Sequence, residues 1–84
     1  MTSTNTLLTQ NYSNFTFNPD TYNTLKPYIQ KVISFFNKHK IKTVTLEDCF
    51  QIPMTILPLD LETIKTITNY LYYIIQNNPE VLKH

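Results

Sequence analysis

The stretch MTILPLDLETIKTITNYLYYIIQNN, residues 54–78, carries the clearest pattern in this chain. After Pro58 its apolar residues recur at spacings of three and four, which predicts an amphipathic helix from about Leu61 to Asn77. Asp60 directly precedes this segment and is expected to cap the helix. The predicted buried stripe, flanked by Tyr70 and Tyr72, consists of Leu61, Ile64, Ile67, Leu71, Ile74 and Ile75.

The opposite side of this helix is predicted to be its open face, which carries Glu62, Lys65, Thr66, Asn69, Tyr73 and Gln76. Tyrosine is frequent at protein interfaces because its ring is apolar while its hydroxyl tolerates water. Tyr73 is therefore the expected anchor of a contact with another protein. The predicted partner-binding residues are Tyr73, Asn69, Glu62, Lys65 and Gln76.

An earlier helical segment, NPDTYNTLKPYIQKVISFFNKHK, spans residues 18–40. Asn18 and Pro19 form a favourable cap and first-turn pair. A proline inside a helix costs about 3 kcal/mol, so we expect a short turn over residues 19–25 and a proper helix beginning near Pro27. The apolar side of the segment consists of Tyr22, Leu25, Tyr28, Ile29, Val32, Ile33 and Phe36.

Three short segments have strand character. TLLT (6–9) and NFTF (14–17), separated by turn-prone residues, predict a hairpin, and MTIL (54–57) is a further strand candidate. Residues 41–53 indicate a brief extended piece, then one or two helical turns ending before Pro53, with Thr45 as cap and Asp48 at the third position. The predicted fold is α+β and mostly helical, with a small hairpin and two main helices. Residues 1–5 are expected to be disordered and residues 6–84 to form one domain.

Composition and charge narrow the possible partners. The chain of 84 residues is 42% hydrophobic and has a net charge of +1, without the electrostatic signature of a binder of nucleic acid or anionic membranes. Its apolar runs are shorter than the ~20 residues of a membrane span, and its first residues lack a charged signal-peptide head. We expect an intracellular protein, in the cytoplasm or nucleus, or in the host cell if the chain is viral. Its expected partner is another protein or a second copy.

Residues that could carry chemistry are few. His39, His84 and Cys49 cannot supply the four ligands of a structural zinc site, and a phosphate loop needs glycines, of which the chain has none. Glu47 and Asp48 are adjacent and would point apart on a helix. Cys49 is expected to be a buried, inert thiol. The sequence predicts a protein without catalytic activity, cofactor, metal or small-molecule substrate. Without glycine, left-handed turn positions are expected to fall to asparagine.

The order of segments resembles the BTB/POZ-type adaptors of cullin ubiquitin ligases, elongin C and its SCF counterpart. MTILPLD corresponds to a strand and link, LETIKTITNYLYYII to the next helix, and TLLTQNYSNFTFNPDTYNTLKPYIQKVI to strand, loop, strand and helix. The likeness covers roughly residues 6–78, although Asn11 and Tyr12 stand where the family usually has Asp-Gly. The resemblance implies a BTB/POZ-like fold and an adaptor subunit that binds proteins through helix faces.

Two other resemblances lead to alternatives. YIQKVISFFNKHK, KTVTL, EDCFQI and the helix from Leu61 follow the helix–strand–helix–helix order of winged-helix domains, which implies binding to nucleic acid or protein. Asp60, Glu62 and a single Lys65 on the open face argue against DNA, because phosphate contact needs several cations. NKHKIKTVTLEDC resembles a step in core histones, but Pro27 interrupts the long helix that histones require. A structural subunit of a larger assembly is the further alternative.

Overall fold

The computed structural model describes the backbone of residues 3–82 and the side chains of residues 8–82. This part of the chain forms four α-helices and a 3₁₀ turn: α1 (Ser3–Ser13), α2 (Pro19–Lys38), α3 (Leu46–Ile56), α4 (Leu61–Asn77) and the 3₁₀ turn (Pro79–Val81). α3 and α4 are the most closely packed pair, α2 packs against both of them, and α1 lies on α3 and α4. Residues 1, 2, 83 and 84, including His84 and part of the predicted disordered N-terminus, lie outside the described residues.

The predicted α+β fold is wrong, because residues 3–82 contain no strand. TLLT (6–9) lies inside α1, NFTF (14–17) is the irregular linker between α1 and α2, and residues 54–56 are the last turn of α3. Runs of four residues are too short for periodicity to separate strand from helix, so packing decides. The BTB/POZ-like arrangement and the winged-helix alternative both require strands and do not describe this fold.

The helix predicted from the opening stretch is confirmed, and α4 runs from Leu61 to Asn77. Asp60 caps it by accepting a hydrogen bond from the backbone N–H of Thr63 at 3.2 Å. The middle of the predicted buried stripe is confirmed, since Ile67 is completely enclosed. Two members of that stripe are not buried: Leu61, which begins the helix, is 48% exposed, and Ile74 is only partly buried.

The break expected near Pro27 is wrong, because α2 runs unbroken from Pro19 to Lys38. Asn18 caps it as predicted, accepting hydrogen bonds from backbone N–H groups two and three residues further on, at 2.9 and 3.2 Å. Pro27 lies on the exposed side of α2. Because proline has no backbone N–H, the carbonyl four residues earlier has no helical hydrogen-bond donor, but on this side water can reach it. On the opposite side the buried Leu25 and Ile29 hold the flanking turns against the core.

The start of α3 was predicted correctly and its end was not. Thr45 accepts a hydrogen bond from the backbone N–H of Asp48 at 3.1 Å, and the Asp48 carboxylate accepts one from the backbone N–H of Thr45 at 3.2 Å. These two bonds form a capping box. The helix then passes through Pro53 and ends at Ile56. Burial of the Pro53 ring offsets the backbone hydrogen bond that a proline removes.

One apolar cluster holds α2, α3 and α4 together. Phe36 is the largest of its completely enclosed side chains, and Ile29 and Val32 lie beside it on α2. The buried members are Leu25, Ile29, Val32, Phe36, Val44, Cys49, Leu57, Ile64, Ile67, Tyr70, Leu71, Ile75 and Leu82. Packing at this cluster therefore fixes which sides of the three helices remain open to solvent.

The left-handed position that ends α2 is filled by a lysine, not by the asparagine expected from the sequence. Lys40 has φ 56°. Its N–H donates to the carbonyl of Asn37 at 3.1 Å, and the N–H of Ile41 donates to the carbonyl of Phe36 at 3.0 Å. This pair of bonds is a Schellman motif, which in most helices uses glycine at the left-handed residue.

Replacing this lysine with glycine is expected to stabilise the protein. A side chain with a Cβ costs roughly 1–2 kcal/mol in the left-handed region, so Lys40→Gly should raise the free energy of unfolding by about 1 kcal/mol in a urea titration. Lys38→Gly is the matched control, because it removes the same charge within α2 and should lower stability by about 0.5–1 kcal/mol. A destabilised Lys40→Gly variant would show that this helix end has a different conformation.

Candidate protein-contact surface

The five predicted partner-binding residues do not form one surface. Glu62 and Lys65 lie in the first two turns of α4, where the Lys65 ammonium is 3.6 Å from the Glu62 carboxylate. Gln76 is exposed near the other end of the helix, beside a shallow cleft between α4 and residues 42–44. Asn69 and Tyr73 lie between these groups and are covered by the N-terminal part of the chain.

The prediction that Asn69 and Tyr73 lie on an open face is wrong. Asn69 is only 8% exposed, and its side-chain oxygen accepts a hydrogen bond from the Asn11 amide at 3.4 Å. The ring of Tyr73 is half-buried, 5.0 Å from the ring of Phe17 and 5.8 Å from that of Phe15. A polar helix face can be buried when its amides are paired. The pairing here comes from α1 and the linker of residues 14–18.

An aromatic cluster attaches this linker to α4. Phe15 meets Tyr70 edge to face with a centroid separation of 4.7 Å, the geometry that aromatic pairs prefer. The Tyr70 hydroxyl accepts a hydrogen bond from the backbone N–H of Asn18 at 3.1 Å and donates to its carbonyl at 3.4 Å. The members of the aromatic cluster are Tyr12, Phe15, Phe17, Tyr22, Tyr70, Tyr72 and Tyr73.

Cys49 is completely enclosed, as predicted. Burial, and secondarily the nearby Asp48 carboxylate, raise the pKa of its thiol far above the usual range. Burial also raises the pKa of Tyr12, with smaller contributions from Tyr72, Tyr73 and Cys49. The thiolate, which is the nucleophilic form of cysteine, is therefore disfavoured at neutral pH.

His39 is exposed, and its ring lies 4.2 Å from that of Phe35. Among the described residues, no three side chains of histidine, cysteine, aspartate or glutamate are grouped closely enough to hold a metal ion. Within the same range no helix has both the length and the apolar character needed to cross a bilayer.

A groove that the sequence analysis missed runs between α2 and α4. This α2–α4 groove has a volume of about 390 Å³ and is lined by Tyr22, Ile29, Gln30, Ile33, Ser34, Asn37, Ile74 and Val81. Ile33 and Ile74 are only partly buried, although helical periodicity assigned both to buried stripes. The position of Ile33 and Ile74 at the edges of their predicted stripes is the feature of the sequence that could have indicated the groove. Periodicity alone cannot show which edge a neighbouring helix leaves open.

A second groove is smaller and more polar. It lies between the first turns of α2 and α4, with a volume of about 300 Å³, and is lined by Thr21, Thr24, Leu25, Glu62, Thr63 and Thr66. The hydroxyls of Thr24 and Thr66 donate to carbonyls four residues earlier, and that of Thr63 donates to the Asp60 carboxylate. These three hydroxyls are thus already engaged by groups of their own helix or its cap. The α2–α4 groove has the more apolar lining.

Comparisons with protein-family models, with curated proteins and with solved structures find no match to this chain. The family relationship to BTB/POZ adaptors stays a prediction, although the strands of that fold are absent from residues 3–82. A functional proposal therefore depends on the chemistry of the surfaces described above.

Proposed function

We propose that this chain is a non-enzymatic protein-interaction module that binds an apolar segment of another protein in the α2–α4 groove. The observation that carries this proposal is the partial exposure of Ile33 and Ile74 along a concave seam between two helices. Apolar side chains in such a seam can be covered by the apolar face of a partner helix, a common mode of peptide recognition. An adaptor and a structural subunit of an assembly would both use such a surface.

The lining of the groove defines the chemistry of the partner. Among the side chains of residues 8–82, none that lines the groove is charged, and the polar ones are the neutral Gln30, Ser34 and Asn37. Electrostatic steering therefore contributes little at this surface, and the burial of apolar area provides the main driving force. The expected partner segment has an apolar face with uncharged polar residues at its edges. Tyr22, at one end of the groove, is of the residue type that often anchors interfaces.

The non-enzymatic part of the proposal is supported by the titratable groups near these surfaces. Of the described residues that line the α2–α4 groove, Tyr22 is the one whose side chain can ionise, and a phenol alone does not supply the acid–base pair or nucleophile that most active sites contain. Cys49 is enclosed in the core, away from solvent. These features favour contact over catalysis as the role of the chain.

The proposal is tested by Ser34→Arg, which places a long charged side chain on the exposed edge of the groove. Affinity purification with quantitative mass spectrometry should recover a defined partner with the original chain, and the purified pair should then be measured by calorimetry. Ser34→Arg should weaken that binding at least tenfold, about 1.4 kcal/mol. Circular dichroism should show an unchanged fold, because Ser34 is exposed.

Tyr28→Arg is the matched control, since Tyr28 lies at the other edge of α2 and is 38% exposed. It should leave the affinity for the same partner unchanged. Loss of binding in Tyr28→Arg with full binding in Ser34→Arg would contradict the groove and move the interface to the other edge of α2. A salt-dependent complex with duplex DNA at micromolar protein would instead favour a nucleic-acid-binding role.

A further inference from the structure

The first helix depends on the rest of the protein for its structure. α1 has 11 residues, is rich in serine, threonine and asparagine, and has no acidic residue in its first turn or basic residue in its last. Isolated helices of fewer than ~12–15 residues are marginal in water even with strong helix formers. Its helical state therefore comes from the surface on which it lies.

That surface is formed by α3 and α4, and α1 meets it with one side. Leu8, Asn11 and Tyr12 are spaced three and four residues apart, so they share a helix face. Leu8 is 5% exposed and is buried apart from the main apolar cluster. Asn11 pairs with Asn69, and the ring of Tyr12 meets that of Tyr72 edge to face at 5.0 Å.

We propose that the α3–α4 face beneath α1 is a helix-docking surface, filled by the chain's own α1, which accepts α1 of a second copy in exchange. The second copy is the occupant because its α1 presents the same Leu8, Asn11 and Tyr12 to the same face. The exchange would give a domain-swapped dimer. This surface is separate from the α2–α4 groove, so the two proposals can fail independently.

Two features of the structure permit the exchange. The linker of residues 14–18 is irregular and, fully extended, could span about 17 Å. The net charge of +1 causes little repulsion between two copies. Among the side chains of residues 8–82, α1 contributes Leu8 to the buried hydrophobic residues and the rest of the chain contributes all the others. Release of α1 should therefore need much less free energy than global unfolding.

Cys49 reports this release in the full-length chain. It is completely enclosed on α3, one of the two helices that α1 packs against. Under native conditions a thiol reagent should label Cys49 faster than it would if only globally unfolded molecules could react. The population of unfolded molecules is obtained from urea denaturation. Leu8→Ala should accelerate the labelling at least tenfold beyond any change in global unfolding. Leu61→Ala, the matched control at a half-exposed leucine, should not.

A synthetic peptide of residues 3–14 should then occupy the vacated face. Added in excess to the full-length Leu8→Ala variant, it should slow the labelling of Cys49 and give a complex in native mass spectrometry. The same peptide with Leu8→Ser and Tyr12→Ser should do neither. As a readout independent of the thiol, the amides of α1 should exchange hydrogen faster than those of α4.

Two labelling results would each overturn the inference. In the first, labelling of Cys49 keeps step with global unfolding in both the original chain and Leu8→Ala. In the second, the original peptide gives no more protection than the doubly substituted one. Light scattering on the full-length chain should also detect a dimer whose proportion rises with protein concentration, and a monomer at every concentration would exclude the exchange between copies.

Discussion

Replacing Ile67 by alanine is expected to unfold the protein or leave it barely folded. Ile67 is completely enclosed at the centre of α4, facing the cluster that joins three helices. Truncation of such a side chain costs roughly 2–5 kcal/mol, against the 5–15 kcal/mol of total stability that is typical of a domain. Urea denaturation followed by circular dichroism measures the loss. Gln76→Ala, at an exposed position of the same helix, should change stability by less than about 0.5 kcal/mol.

Tyr73→Ala should lower the free energy of unfolding by less than Ile67→Ala and by more than Gln76→Ala. For Tyr73, the open-side position predicted from the sequence implies that truncation costs the fold little. Its ring instead packs against Phe15 and Phe17, so a loss of about 1–3 kcal/mol is expected. If Tyr73→Ala unfolded the protein while Ile67→Ala were tolerated, the orientation of α4 would be the reverse of the one described.

Raising the pH above about 8.5 is expected to destabilise the protein through Cys49. An unfolded thiol loses its proton near that pH, whereas burial raises the pKa of Cys49 in the folded state. Above pH 8.5 the folded state therefore retains a proton that the unfolded state releases. The stability that comes from this difference is fully present below pH 8.5. It falls by up to about 1.4 kcal/mol per pH unit above it, or roughly 2 kcal/mol by pH 10.

Cys49→Ala is the control for this pH dependence. Between pH 8.5 and 10 its stability should fall less steeply than that of the original chain, whatever its stability at neutral pH. Urea titrations at several pH values give both slopes. The raised pKa of Tyr12 acts in the same direction, and its effect should extend to higher pH because phenols ionise near pH 10. Equal slopes for the two proteins would mean that the thiol is accessible to water when folded.

Sequence reasoning succeeded where the signal was local. Asn18, Thr45 and Asp60 were all identified as helix caps, because a cap bonds to N–H groups only two or three residues away. It failed at Pro27 and Pro53, where the local cost of a proline is outweighed by packing on either side of it. The strand predictions failed for a related reason, since short apolar runs acquire their conformation from the surface that covers them.

The contact surface was harder to predict because its cover comes from far along the chain. Asn11 and Asn69 are separated by 58 residues, and no pattern within α4 indicates that an amide from α1 will meet it. The open α2–α4 groove depends in the same way on how far α2 and α4 approach each other. The conformation of Lys40, in contrast, is set by local contacts. The hydrogen bond from the N–H of Ile41 to the carbonyl of Phe36 requires a left-handed residue between them, and this glycine-free chain has a lysine at that position.

The dependence of α1 on α3 and α4 also has a consequence for synthesis on the ribosome. α1 leaves the ribosome before α2, α3 and α4, but the surface that makes it helical is complete only when Asn77 has been added. At roughly 5–20 residues per second, this delay lasts several seconds. During that time the linker rings of Phe15 and Phe17 lack their partners Tyr70 and Tyr73 on α4, Leu8 lacks the surface that buries it, and all three are open to chaperones. The contacts between α3 and α4 are close in sequence and should form early. Of these four helices, α1 is therefore expected to be translated first and to fold last.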